Sequence, residues 1–293
     1  MIELSQEVED ALSRGDAVVA LETTLVAHGF PANEGVAVGV ESARCVRDAG
    51  AVPATVGILD GVLRIGLPDF ELERFTADAR KVGPRDLAAA VAQRAVGATT
   101  VGGTLAACRA TGIRSMGTGG IGGVHRGDRT DVSADLHELA QTEVLVVSSG
   151  IKSVLDVPAT MELLETLGVP VLGFRTDELP LFYTARGGPP VPARVESAEE
   201  AAAVARMHWQ LKRRSGLVLA QPPPTSLDDV EPLIQQALAA AEEQGVSGPA
   251  VTPFVLAFLH DRSGGRTREV NRELVLANAR LAAEVAVAYA ASS

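Results

Sequence analysis

The chain has 293 residues, 46% of them hydrophobic and 3% aromatic, and its 26 Lys and Arg against 37 Asp and Glu leave a formal net charge of −11. That length and apolar content hold one large domain or two small ones around a real core, which excludes disorder as the main state. The acid excess and the scarcity of aromatics exclude a nucleic-acid binder, which needs a basic footprint and, for single strands, stacking surfaces; a small soluble substrate fits better.

Apolar runs of strand length alternate with helical patterns along the chain. Strands are predicted at 17–25, 54–58, 99–102, 113–116, 144–148, 169–174 and 217–220. Helices are predicted at 33–49, 85–96, 134–140, 160–167, 197–212, 227–243 and 268–291. The alternation predicts an α/β protein, and Val/Ile/Leu-rich strands without clean alternation predict a largely parallel sheet buried on both faces. With no repeat, linker or composition break, a single three-layer α/β/α domain over 1–293 is expected. Cys45 and Cys108 lack CxxC spacing, so neither a disulfide framework nor a thiolate metal site is encoded. The first ten residues carry no basic or apolar export pattern, and the most apolar helical stretch, 274–291, is broken by Asn278, Arg280 and Glu284. A cytoplasmic protein with no membrane partner is therefore expected.

Chemistry-bearing residues gather at the ends of apolar runs. Glu22 closes Val18-Val-Ala-Leu, where burial raises a carboxyl pKa and suits it to proton donation, although an ion-paired strand-end Glu reads the same way. His28, close behind, suits a core or loop hydrogen-bonding role equally well. Lys81 sits in a basic loop before a helix, placed to hold an anion or simply solvated. The run Gly117-Thr-Gly-Gly-Ile-Gly-Gly-Val-His125-Arg126 contains G-x-G-x-x-G, yet no helix follows to receive a pyrophosphate. Its reading is a nest of backbone N–H groups for a phosphate, with close packing of a glycine-rich crossover as the alternative. Asp131 and Asp135 bracket Ser133 and can serve either a hard cation or a helix cap. Lys152 follows the buried run 144–148 through Ser-Ser-Gly-Ile. Of the 26 basic residues 23 are Arg, so a Lys here asks for a reason; a deprotonatable amine nucleophile supplies one, and a snorkelling surface Lys is the alternative.

Together these residues make the sequence resemble the pseudouridine-5'-phosphate glycosidase family over nearly its whole length. The resemblance is carried by Val18-Val-Ala-Leu-Glu-Thr-Thr, His28-Gly-Phe-Pro, Gly50-Ala-Val-Pro-Ala-Thr and, most specifically, Thr118-Gly-Gly-Ile-Gly-Gly-Val-His-Arg-Gly127. Gly150-Ile-Lys-Ser-Val-Leu-Asp156, Thr252-Pro-Phe254, Asn271 and Asn278-Ala279 match as well. It implies a cytosolic homotrimer that reversibly splits pseudouridine 5'-phosphate into uracil and ribose 5-phosphate with a divalent metal, commonly Mn²⁺. By position it implies Lys152 as the Schiff-base lysine, Glu22 as proton donor and Asp131 as the metal-binding carboxylate. Lys81, Val101, Ser133, Ala134 and Asp135 take substrate-binding positions, and His125 and Asn271 fall where active-site polar residues are expected. Thr23 stands where Ser is frequent, Gln221 where Asn is expected, and 186–190 is unusual. Two rival readings are an aldolase-like lyase, which lacks the eightfold pattern it would need, and a noncatalytic sugar-phosphate binder, which leaves Glu22 and Lys152 without a role.

Overall fold

The computed structural model describes residues 1–126, 130–246 and 251–291. Its strands are β1 (Ile2–Leu4), β2 (Val18–Glu22), β3 (Val52–Leu59), β4 (Val62–Ile65), β5 (Arg80–Val82), β6 (Gly97–Thr99), β7 (Ser115–Gly117), β8 (Val124–His125), β9 (Leu145–Ser148), β10 (Leu155–Asp156), β11 (Val171–Phe174), β12 (Ala193–Val195) and β13 (Leu217–Ala220). Its α-helices are α1 (Gln6–Arg14), α2 (Ala32–Asp48), α3 (Leu87–Ala92), α4 (Val101–Thr111), α5 (Ala134–Leu139), α6 (Val157–Thr166), α7 (Ala198–Gln210), α8 (Glu231–Glu243), α9 (Val251–Arg262) and α10 (Arg266–Ala290). Eleven strands form one sheet in the order β1-β4-β3-β2-β7-β9-β13-β11-β12, with β6 joining β3 to β5. From β3 to β12 along that order every pairing is parallel, and β4 and β6 run antiparallel to β3.

Both faces of the sheet are covered, as expected for strands apolar at every position. In β2, Val18 and Ala20 enter one core with Leu105 of α4, Leu136 of α5 and Leu164 of α6. Val19 and Leu21 enter a second core with Val46 of α2, Ala205 of α7 and Ala282 of α10. The result is the expected three-layer α/β/α arrangement. Among the described residues no helix is long and apolar enough to cross a membrane.

Two strand expectations are corrected where they meet the site. The run 17–25 leaves the sheet after Glu22, and Leu25–Gly29 form a π-helix instead. The expected strand 99–102 stops at Thr99, because Thr100 caps α4 by accepting a hydrogen bond from Gly103 N at 3.1 Å. Gly102 and Gly103 hide this helix from a propensity reading. Their place there is steric: a Cβ on Gly103 would lie 2.5 Å from Val82 O, so β5 can pass only against glycine.

Candidate active site

β2, β7 and β9 are adjacent parallel strands, with Leu21, Gly117 and Val147 in register across them. Their carboxyl ends therefore bring together Glu22, the glycine-rich segment and the turn leading to Lys152, in the crevice where open α/β sheets bind ligands. The turn after β9 is stitched to the glycine segment: Ser149 N donates to Gly119 O at 2.8 Å, Ile121 N to Gly150 O at 3.1 Å and Lys152 N to Ile121 O at 3.1 Å. Gly150 has φ +79°, and a Cβ there would fall 2.0 Å from Pro180 O, so this turn requires glycine.

A cavity of about 280 Å³ opens above these strand ends, and Lys81, Thr100, His125, Asp131, Asp135 and Lys152 are among the residues lining it. Glu22 does not line it; it is 5% exposed and accepts a hydrogen bond from Thr118 Oγ1 at 2.5 Å. Burial pushes the Glu22 carboxyl above its ordinary range; the charges of Lys152 and Lys81 and the Thr118 hydrogen bond pull the other way, and Asp135 adds to the rise. Lys81 is pushed below the usual lysine range, first by burial and then by the neighbouring Lys152 ammonium, with Asp135 and Glu22 opposing. His28 is also held low by burial; its Nε2 lies 3.1 Å from Ala79 O, next to the strand that carries Lys81. A threonine network braces Glu22 from behind. Thr23 Oγ1 donates to Val56 O at 2.8 Å and accepts from Thr99 N at 3.0 Å, and Thr24 Oγ1 donates to Thr99 O.

Much of the backbone of the glycine segment is already committed within the protein, which leaves it less open as a nest than its sequence suggests. Thr118 N, Ile121 N, Gly122 N, Val124 N and His125 N all donate to protein acceptors. Its glycines admit neighbours: a Cβ on Gly122 would meet Ser133 Oγ at 2.2 Å, and one on Gly123 would meet Thr160 Oγ1 at 2.3 Å. Arg126, expected near the phosphate, is likewise committed. Its guanidinium donates to Leu155 O, Ser153 O and Glu231 Oε1 at 3.0, 2.8 and 2.9 Å, fixing the chain just beyond Lys152. Gly127, the last residue of the motif, lies outside the described residues. Among the described residues, the cationic side chains that line the cavity are instead Lys81, Lys152 and the exposed Arg85.

Ser133 caps α5, and the two carboxylates around it differ. Asp135 is 4% exposed and accepts from Gly102 N at 2.7 Å and Gly122 N at 2.9 Å, joining the start of α4 to the glycine segment. Asp131 is 39% exposed, and its Oδ2 lies 3.8 Å from His125 Nδ1. Among the described residues no three His, Cys, Asp or Glu side chains gather as a closed metal site. One open carboxylate beside an imidazole does fit a hard divalent ion that completes its shell with water and substrate oxygens. Ala134 lines the same wall, whereas Val101 opens α4 with its side chain fully buried.

Asn271 stands apart from this cavity. It is buried on α10, with Nδ2 donating to Gly29 O at 3.4 Å and Oδ1 without a hydrogen-bond partner. Thr118 and Thr100 escape a sequence reading because a threonine inside or beside an apolar run carries no charge signal. The pairing of Thr118 with Glu22 across 96 positions exists only once β2 and β7 are neighbours.

Residues 7–288 match the family of indigoidine synthase A like proteins. A pseudouridine-5'-phosphate glycosidase of Chloroflexus aurantiacus is 50% identical over 98% of each chain. One from Myxococcus xanthus is 46% identical over 100% of this chain and 99% of its own. Among solved structures, the prealnumycin C-glycosynthase AlnA in complex with ribulose 5-phosphate is 40% identical with a TM-score of 0.89, covering 100% of this chain and 98% of its own. An indigoidine synthase A like protein of Thermotoga maritima is 38% identical with a TM-score of 0.89, covering 98% of this chain and 96% of its own. A match of this length in both sequence and fold means that the chain belongs to the indigoidine synthase A like family.

Proposed function

We propose that this chain is a pseudouridine-5'-phosphate glycosidase that reversibly cleaves the C–C glycosidic bond to give uracil and ribose 5-phosphate. The observation that carries this reading is a buried carboxyl, Glu22, within electrostatic reach of two lysines, Lys81 and Lys152, that line one cavity, in a chain half identical to a protein so named. A carboxylate pair of the kind that hydrolyses O-glycosides does not suffice for a carbon leaving group. An amine does, because it supplies an electron sink.

In the mechanism we infer, Glu22 donates its proton to the ring oxygen as the bond from C1' to that oxygen breaks. The Lys152 amine then bonds to C1'. The nitrogen gives up a proton to the Glu22 carboxylate left by ring opening, and the lone pair so freed forms the C=N bond as the C1'–C5 bond breaks. The electron pair of the broken bond goes to C5 of uracil, which takes the proton back from Glu22. Water adds to the iminium carbon, and the amine and ribose 5-phosphate separate. Burial raises the Glu22 carboxyl pKa and so favours the proton-bearing form, and Thr118 holds the carboxyl in place. Lys81 and Arg85 form the side suited to the phosphate; Asp135 holds the start of α4 against the glycine segment. Asp131, with His125 beside it, would hold a divalent ion such as Mn²⁺, which when bound neutralises substrate oxygens. We further infer a cytoplasmic homotrimer, checked by sedimentation.

AlnA makes C-glycosidic bonds and binds ribulose 5-phosphate, so synthesis on another acceptor is the second reading. The test is uracil release from pseudouridine 5'-phosphate before and after chelation, with Mn²⁺ restored. Release that falls on chelation and returns with Mn²⁺ supports the reading. No release under any condition, with C-glycoside formation on another acceptor, would replace it with the second.

A further inference from the structure

Asn278 of α10 is far in sequence from both reacting groups and does not line the Lys152 cavity, yet it joins the segments that carry them. Fully buried, its Nδ2 donates to Thr118 O at 2.8 Å, Gly119 O at 3.3 Å and Ser149 Oγ at 3.1 Å. Two carbonyl oxygens there fix which end of the carboxamide faces them, since an oxygen in that place would be repelled. The first acceptor belongs to the residue whose hydroxyl donates to Glu22, and the third opens the turn Ser149-Gly-Ile-Lys152. One side chain thus fastens the backbone behind the acid to the backbone that leads to the amine.

The other end of the amide argues against simple packing. Oδ1 is buried with no hydrogen-bond partner, a destabilising state that an apolar residue of similar size would avoid. The neighbours on this face of α10 are apolar, with Leu274, Val275, Leu281 and Ala282 all buried.

Resting on the glycosidase reading, we propose that Asn278 is a positioning residue of the reaction, setting Thr118, and through it the Glu22 carboxyl, against Lys152. A displacement of about 1 Å at a reacting group can cost about a hundredfold in rate, so the amide needs no contact with substrate to matter.

The test is a double-mutant cycle on the full chain, Asn278→Ala with Thr118→Val, following uracil release across pH alongside thermal melts. Folded Asn278→Ala should lose about 10- to 100-fold in kcat with KM within about threefold. Its alkaline limb should move up, because a loosened Thr118 contact leaves Glu22, which faces Lys152, Lys81 and Asp135, protonated to higher pH. The double variant should be no worse than the poorer single one. If Asn278→Ala fails to fold, Asn278→Ser takes its place in the cycle. A folded variant with unchanged kcat and pH profile would overturn the role, as would losses that simply multiply in the double variant. A wild type that releases no uracil would overturn the glycosidase reading, and the role with it.

Discussion

The two ends of the central strands each carry a cavity, and they handle charge in opposite ways. At the amino ends, a mostly apolar cavity of about 210 Å³ is lined by Trp209, Tyr289 and Arg114. Its arginine is satisfied, with Arg114 lying 4.9 Å over the Trp209 ring and 2.6 Å from Glu143, and Arg206 nearby lies 5.1 Å from the Tyr289 ring. At the carboxyl ends, Glu22, Lys81 and Lys152 share a region in which, among the described residues, none of the three has an ion-pair partner within 4 Å. Paired and stacked charges stabilise a fold. A buried carboxyl and a half-buried lysine whose pKa values are displaced by burial and by neighbouring charge mark a candidate for chemistry. On the proposed function, the apolar hollow is the structural end of the molecule and the polar one the working end.

If that contrast holds, substitutions at the two ends should separate turnover from stability. The largest expected effect on turnover is that of Lys152→Arg, which keeps the charge but has no amine to deprotonate. Turnover should fall by about 10⁴-fold or more with an unchanged melting curve, and borohydride should no longer trap ribose 5-phosphate on the protein. An adduct on Lys81 or Lys212 in the wild type would reassign the nucleophile.

Next in size, Glu22→Gln should reduce turnover by about 10²- to 10⁴-fold. It should also stabilise the protein. A carboxyl whose folded pKa is raised contributes its stability below the unfolded pKa and loses it as pH rises through the folded value. The gain in melting temperature for Gln should therefore be larger at pH 8 than at pH 4; a gain that does not grow with pH would mean that Glu22 is not held protonated by burial.

Thr118→Val sharpens the comparison further, since it removes one hydrogen bond and nothing charged. Losing a donor to a carboxylate disfavours the charged form, so the alkaline limb of the activity profile should move to higher pH, with kcat down by about tenfold. A limb that stays in place would disconnect Thr118 from the acid.

The smallest expected effect on turnover is at the other end. Trp209→Ala should cost about 3 to 5 kcal/mol of unfolding free energy. The kcat/KM of the folded fraction should stay within about twofold, as for distant uncoupled sites. Stability can be measured by urea denaturation and activity well below the transition; a large loss of kcat/KM would mean that the two ends communicate.

Much of this division is legible in the amino-acid sequence. Strand ends and charges are visible there, which is why Glu22 and Lys152 stand out, and the lysine at 152 is conspicuous against 23 arginines. What escapes is what depends on pairing between distant segments. Helix α4 is hidden because two of its first three residues are glycines, chosen for the backbone and side chains that press on them rather than for helix propensity. Helix α9 is hidden because apolar residues surround its axis and leave no periodic stripe. The glycine segment misleads in the other direction. Its composition says anion nest, and only the partners of Gly122 N, Ile121 N and Arg126 show those donors already committed within the protein.

The sheet order also acts as a ruler. Glu22 ends β2 and the turn to Lys152 leaves β9, with only β7 between them. Neighbouring strands lie about 4.8 Å apart, so β2 and β9 are held about 10 Å apart by main-chain hydrogen bonds, with Lys152 a short turn beyond the end of β9. An extra strand at this point would move the starting points of the two segments apart by one further strand spacing, and one strand fewer would bring them closer by the same step. Site geometry here is thus quantised in units of strand spacing, which is how side chains on separate loops can meet one small molecule without a dedicated scaffold.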